Sequence, residues 1–492
     1  MADTGEKQKM SKMKKQYLKA GISAVAVVCC AVMLTLPAIA ATVETDTIVA
    51  DNGNGVQPIP KTYVLKDTIF YLGDDYGLMS EPQDLFIGKN NRLYVADTGN
   101  NRILEFDEHY QVKGVYNNET EKIFSAPQGV FVDEDDAVFV ADTGNSRIVK
   151  LSKTGKFVEE YKKPVSDLLS SDDAFNPTKV AVSPTGYLYA IKHQWIMQMD
   201  ANNDFRGYIT ATEVGFDFIE WVKKLFANET QKKNMQKREP SSCLSFDMNE
   251  NGVLYITTVD STGQLKKINT IGNNIYPKKD MFGYQVDIGE SELKSPQFSD
   301  VAVSADETIF MLEAWEGKVH IYDKEGQNLA IFGGLGEGED QFAAPVALDV
   351  DRDGNIYVLD KTGNCVKVFE PTEFISTVYQ AIDLYSAGNY EEAMGYWRKI
   401  SEFDVNYHLA NKGIAQTYLK QKNWKKAMEY FELSGDKENY SKAFVGYRQQ
   451  MLEEHFTIIV IAAVVIVAII IVLLKLLLKL IQRIIVKYHK YV

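Results

Sequence analysis

The chain is poor in the residues that most chemistry and most covalent bracing rely on. Four cysteines and six histidines are spread over 492 residues. Cys29 and Cys30 lie inside an apolar N-terminal run, which leaves only Cys243 and Cys365 in the body, far apart in sequence. A disulfide framework is therefore not indicated. The sequence has no Cys-x-x-Cys, no glycine-rich phosphate loop ahead of a helix and no recognisable Ser-His-Asp set. The run Gly333-Gly-Leu-Gly-Glu-Gly-Glu339 reads as a plain connecting loop. Excess positive charge is also missing from the body. The formal net charge is −14, but the first 40 residues carry +4 and residues 456–492 carry +5, leaving −23 between them. Such a body repels phosphate backbones, which excludes nucleic acid as a partner.

The positive charge that does exist flanks apolar segments. Lys12, Lys14, Lys15 and Lys19 precede a run from Ala20 to Leu36 that ends in Pro37-Ala-Ile-Ala-Ala41. A basic start, an apolar middle and Ala-x-Ala make residues 1–40 a signal peptide with cleavage expected after Ala40. No charge occurs from Phe456 to Leu474, and Lys475 with a basic tail follows. Nineteen apolar residues nearly span a bilayer, and the positive-inside rule puts the tail on the cytoplasmic side. The expectation is a single-pass membrane protein with an extracellular body, a transmembrane helix at 456–481 and a cytoplasmic tail at 482–492. An exported body without disulfides suggests a bacterial envelope.

Two segments nearly repeat: Leu93-Tyr-Val-Ala-Asp-Thr-Gly-Asn-Asn-Arg-Ile103 and Val138-Phe-Val-Ala-Asp-Thr-Gly-Asn-Ser-Arg-Ile148. They are 45 residues apart, the spacing of a repeat fold. Each reads as one hairpin of a propeller blade, an apolar strand, a turn and a second strand. Six units align, their middle strands beginning near Leu93, Val138, Leu188, Leu254, Ile309 and Ile356, each opened by a proline: Pro82, Pro127, Pro177, Pro240, Pro296 and Pro345. The first five continue into an outer strand. The sixth stops at Glu370-Pro371, and the orphan strand Thr62–Leu72 is expected to complete it and close the ring. Residues 41–60 read as a polar linker. An insertion at 211–238, with Phe216-Asp-Phe-Ile-Glu-Trp-Val-Lys-Lys-Leu-Phe226, has helical spacing.

Residues 374–453 switch to helical periodicity. Gly388/Lys422, Tyr390/Trp424, Ala393/Ala427 and Trp397/Phe431 are each 34 residues apart, a period that predicts paired helices with a further helix near Tyr440–Glu454. The expected class is mainly β: a six-bladed β-propeller over 61–372, an α-helical solenoid and a transmembrane helix.

The Tyr/Phe-Val-Ala-Asp-Thr-Gly-Asn-x-Arg-Ile signature resembles the NHL repeat, most closely at 82–107 and 127–152 and recognisably at 345–370. Residues 374–453 resemble tetratricopeptide repeats, apart from Lys422 at a glycine position. Together the segments look like membrane-anchored NHL-propeller proteins of Gram-positive bacteria. The resemblance implies six blades, and diverse functions.

Aligning the units places two rings at one face. The hairpin ring is Asp97, Asp142, Lys192, Thr258, Glu313 and Asp360, and the inner-strand ring is Asp84, Gly129, Lys179, Cys243, Asp300 and Ala347. Converging acids suit Ca²⁺ or Mg²⁺, while Asp97, Asp142 and Asp360 equally suit turn capping, with Arg102 and Arg147 as partners of the first two. Blade three replaces Asp-Thr-Gly-Asn with Lys192-His193-Gln194-Trp195, and Trp315 sits beside Glu313 and Glu316. Both tryptophans suit stacking on a sugar or anchoring a partner, or else packing on a neighbouring blade. The candidate mouth is thus Asp84, Asp97, Lys179, Lys192, His193, Trp195, Asp300, Glu313, Trp315 and Asp360. Zinc is disfavoured, because the propeller holds only His109, His193 and His320. The leading expectation is a non-catalytic extracellular scaffold binding a protein or carbohydrate within the cell envelope, as in a carbohydrate transport system, with no cofactor beyond Ca²⁺. The alternative is a metal-dependent hydrolase of the lactonase type, known on six-bladed propellers.

Overall fold

A computed structural model describes residues 45–49, 55–117, 124–166, 169, 174–209, 242–260, 263–276, 282–283, 286–287 and 293–488. The segments expected as a signal peptide (1–40) and as a helical insertion (211–238) lie outside these residues.

The first strands are β1 (Thr45–Val49), β2 (Val56–Pro60) and β3 (Tyr63–Ile69). Blade one holds β4 (Asp84–Ile87), β5 (Leu93–Asp97), β6 (Arg102–Phe106) and β7 (Val112–Tyr116). Blade two holds β8 (Gly129–Val132), β9 (Val138–Asp142), β10 (Arg147–Leu151) and β11 (Phe157–Tyr161). Blade three holds β12 (Pro177–Val182), β13 (Leu188–Lys192), β14 (Trp195–Met199) and β15 (Phe205–Ile209). Blade four has three strands among the described residues, β16 (Cys243–Met248), β17 (Leu254–Thr258) and β18 (Leu265–Ile268), where the repeat pattern predicts four. A short hairpin, β19 (Val286–Asp287) with β20 (Leu293–Lys294), follows. Blade five holds β21 (Asp300–Val303), β22 (Ile309–Glu313), β23 (Lys318–Tyr322) and β24 (Asn328–Gly333). Blade six holds β25 (Pro345–Val350), β26 (Ile356–Asp360) and β27 (Cys365–Pro371).

The innermost strands touch in sequence around the axis, and β25 returns to β4. Strand β3 pairs antiparallel with β27, from Pro371↔Tyr63 to Val366↔Ile69, and completes the sixth blade. Closure removes two sheet edges that would otherwise stay unpaired. The stretch expected as a linker behaves differently. Strand β1 pairs with β24 through Thr47↔Ile331, and β2 lies outside β1, making blade five six-stranded. Ile48 and Ile59 are buried there, and the Asp46 carboxylate accepts hydrogen bonds from the Thr62 backbone N–H (2.6 Å) and hydroxyl (2.5 Å).

The second strand of every blade is buried along its whole length. Both its faces meet neighbouring blades, which is why the sequence there is a continuous apolar run rather than an alternating one. The Asp-Thr-Gly-Asn turns owe their glycine to crowding. A Cβ on Gly99 or Gly144 would lie 2.5 Å from the hydroxyl of Ser80 or Ser125.

Five helices follow: α1 (Glu373–Ser386), α2 (Tyr390–Phe403), α3 (His408–Lys420), α4 (Trp424–Ser434) and α5 (Lys437–Tyr488). Small residues seat the helix pairs, Gly413 against the Trp397 ring and Gly446 against Trp424. The helices share one hydrophobic core with blades five and six, running from Phe310 and Phe369 to Ile375, Trp397 and Phe431. Phe374 stacks edge-on against Tyr407, whose hydroxyl donates to the Leu329 carbonyl at 3.1 Å. Helix α5 is continuous from the helical module through the apolar segment, and it alone among the described helices is long and apolar enough to cross a membrane.

Candidate functional site

Innermost strands have one ladder edge facing the axis, so their backbone donors need other partners. Aspartates of the preceding blade supply them. Asp84 accepts from Val130 N–H (3.1 Å), Asp247 from Val303 N–H (2.8 Å), Asp300 from Leu348 N–H (2.8 Å) and Asp349 from Ile87 N–H (2.6 Å). The last of these links blade six to blade one. The carboxylates fasten neighbouring blades while concentrating negative charge at the axis.

One cation answers that charge. Lys179 Nζ lies 3.1 Å from both Asp84 Oδ1 and Asp300 Oδ1, and Ser245 Oγ donates to the same Asp300 oxygen at 2.5 Å. Three expected mouth residues, Asp84, Lys179 and Asp300, therefore converge. Cys243 is not the fourth member of their ring. It pairs with Thr258, and the register shift that follows puts Ser245 opposite Thr257 at the ring position. Burial pushes the Asp84 carboxyl up to about 6, against the pull of Lys179, and Lys179 is held well above the usual ammonium range by the two aspartates despite its burial. Burial likewise raises Asp247 to about 6, and Asp349 well above the carboxylate range with Asp247 adding to it.

The remaining expected residues are spread over the hairpin face. Asp97 accepts from Ser80 N–H (2.7 Å), Asn100 (2.9 Å) and Arg102 Nε (2.6 Å). Asp360 accepts from the N–H groups of Ala343 (2.6 Å), Ala344 (3.0 Å) and Gly363 (2.8 Å). Both fix loops. Glu313 lies 3.0 Å from Nε2 of buried His320, whose imidazole burial depresses in pKa. Lys192 is buried, and His193 holds the hairpin turn at φ 58°. Trp195 packs edge-on against Tyr208 at 5.5 Å, whereas Trp315 is 81% exposed.

The large concavity opens on the opposite face. A funnel of about 1000 Å³ is bounded by the turns between first and second strands of the blades, at 88–92, 133–135, 183–187, 249–251, 304–308 and 351–354, and reaches inward to Asp247 and Asp349. Among the described residues, a small gap of about 20 Å³ lies between the inner end of the funnel and Lys179. Ten carboxylates line it against Lys89, Lys150 and Arg352, with neither His nor Cys among the lining residues. Phe86 and Phe131 lie 4.9 Å apart in its wall, and Tyr63 and Tyr379, hydroxyls 3.0 Å apart, bring α1 to its edge. Side chains build these turns. Asp133 accepts from Asp135 and Ala137 N–H, Asn249 from Asn251 and Val253, and Asp351 from Asp353 and Asn355. Recurrence of Asp, Asn or Ser five residues before the second strand of blades two to six, with Gly88 in that place in blade one, is the sequence signal for this face. The more conspicuous Asp-Thr-Gly-Asn turns join the second and third strands and lie on the other face.

Lactonases of six-bladed type hold a divalent cation with acidic side chains, and the donor set here does not fit that group. Asp84 and Asp300 already enclose the Lys179 ammonium, and among the described residues no group of three or more His, Cys, Asp or Glu is placed to hold a metal ion.

The model of the SMP-30/gluconolactonase/LRE-like region matches residues 86–171, most of the first two blades. The ring closure and this local match make the propeller SGL/NHL-like and six-bladed. No curated protein matches the chain. Similar solved structures include a streptogramin B lyase (13% identity, 63% of this chain and 97% of that one, TM-score 0.39). A gluconolactonase from Xanthomonas campestris is 11% identical over 66% of this chain and 97% of its own, with a TM-score of 0.40. A virginiamycin B lyase from Staphylococcus aureus is 13% identical over 62% and 87%, with a TM-score of 0.37.

Proposed function

We propose that this chain is a membrane-anchored binding protein of the Gram-positive cell surface. Its signal peptide is removed, its body stands outside the cell and its basic tail lies in the cytoplasm. The propeller funnel takes an uncharged or cationic carbohydrate. The helical module, read as tetratricopeptide-like, docks a protein of the envelope such as a carbohydrate transport system. The observation that carries this reading is the funnel, with its carboxylates, amides and aromatic faces. Sugars offer hydroxyls to acceptors and C–H faces to rings, whereas an anionic ligand meets net negative charge.

The lactonase alternative draws on the local family match, but it needs a cation site that Lys179 fills with its own charge. The two readings separate cleanly. Full-length protein in detergent is assayed on a glycan array, beside a variant with Asp135→Arg and Glu250→Arg at the funnel rim. Binding in the parent and its loss in the folded variant support the proposal. Absence of any glycan ligand, or binding untouched by both reversals, sinks it. Lactone hydrolysis that disappears on chelation and returns with Ca²⁺ would install the alternative.

A further inference from the structure

The end of α5 carries a pattern that anchoring alone does not use. After the uncharged Phe456–Leu474 segment come Lys475, Lys479 and Arg483, each four residues on, and Lys487 continues the spacing in the sequence. At about 100° per residue these positions fall within one sector of about 120°. Leu477, Leu478, Leu480, Ile481 and Ile484 occupy the rest of the circumference, Leu476 lies at the border of the cationic sector, and all six are exposed on the protein. The uncharged segment, 19 residues long, already spans about 28 Å, close to the hydrocarbon thickness of a bilayer. Lys475 therefore arrives at the headgroup level, and a helix continuing straight outward would carry these six apolar side chains into water. Burying them costs nothing only if this last part of α5 stays within the interface, with its cations at the headgroups.

We infer that residues 475–484 form an interfacial binding stripe for anionic phospholipid headgroups, in the leaflet next to the C-terminal end of the span. This rests on the anchoring role proposed for α5. The occupant follows from charge and position. Three cations on an apolar helix, continuous with a membrane span, match a plane of phosphates bordered by acyl chains. Lysine and arginine stems lie along the apolar layer while their heads reach the phosphates. A free phosphate offers nothing to the Leu and Ile face.

The test uses the full-length chain in micelles containing equal dioleoylphosphatidylglycerol and dioleoylphosphatidylcholine, with bound lipid read by native mass spectrometry. Phosphatidylglycerol should be retained preferentially. The variant K475Q/K479Q/R483Q should lose about fivefold in that preference per cation, on the order of a hundredfold in all. Equal retention of both lipids overturns the stripe, as does a preference that survives in the variant. So does cross-linking of Lys479 to an acidic segment of another membrane protein with no lipid preference. Alkaline extraction of membranes distinguishes the underlying reading: release of the unaltered chain removes the anchor, whereas retention without lipid preference removes only the stripe.

Discussion

Separating a buried ammonium from two buried carboxylates costs more than the triad contributes to stability, because whatever stays behind is an uncompensated charge. Lys179→Met leaves Asp84 and Asp300 facing each other at the axis, and a loss of about 3 kcal/mol in unfolding free energy is expected. Urea denaturation of the variant measures it, and the added change Asp300→Asn should restore part of the loss. Asp247 gives a pH signature. Its folded pKa, about 6, exceeds the ordinary value of 3.8, so below about pH 4 both states are protonated and between pH 4 and 6 the folded state holds more protons. Stability from this group is present at low pH and lost as pH rises through 6. The stability difference between the parent and Asp247→Asn should therefore fall across pH 4–6 and level off above about 7. A rise over that interval contradicts the assignment. Asp84, Lys179 and Asp300 were legible as a cluster because the repeat period puts them in register. Ser245 was not. Counting from Pro240 assumes one spacing for every blade, yet Cys243 stands where Pro177 and Pro345 stand, and the bulge after each of the three shifts the next residue inward.

Elements that carry their own hydrophobic period were readable, and elements held by tertiary pairing were not. The middle strands announce themselves as apolar runs because two blades cover each one. Strands β1 and β2 sit in a polar, Gly- and Pro-containing stretch and owe their form to the free edge of β24. The paired helices were legible from the 34-residue spacing, and Gly388 and Lys422 do both adopt left-handed backbone after the first helix of each pair. The lysine departs from the pattern in residue type while keeping its conformation, φ 58°. Close packing makes a sharper prediction. A Cβ on Gly413 would approach the Trp397 ring to 2.4 Å. Gly413→Ala should destabilise the helical module by about 1–3 kcal/mol through overpacking, despite alanine's better helix propensity. Gly395, on the same module with open space around its Cβ position, is the control, and Gly395→Ala should be neutral or slightly stabilising. Thermal melts followed at 222 nm compare the two.

The propeller and the helical module share the core that runs from blade five through blade six into the helices. Propeller and helical module should therefore unfold in a single transition, with far-ultraviolet and tryptophan signals superimposing. Tyr407→Ala removes the contact with Phe374 and the bond to Leu329, and should lower the midpoint of both signals together. Two separated transitions would show the modules to be independent. The number of blades and the closing strand could be read from the repeats. The funnel could not, because a cavity depends on how six turns lean around an axis and no single segment encodes that.

Helix α5 runs 52 residues without a break, about 78 Å at the usual rise. Between the helical module and the apolar segment this helix has no joint. With α5 anchored as proposed, load applied to the disc would reach the lipid as torque and tilt rather than being absorbed by slack chain, so the lever arm would also limit which neighbours the disc can reach along the surface.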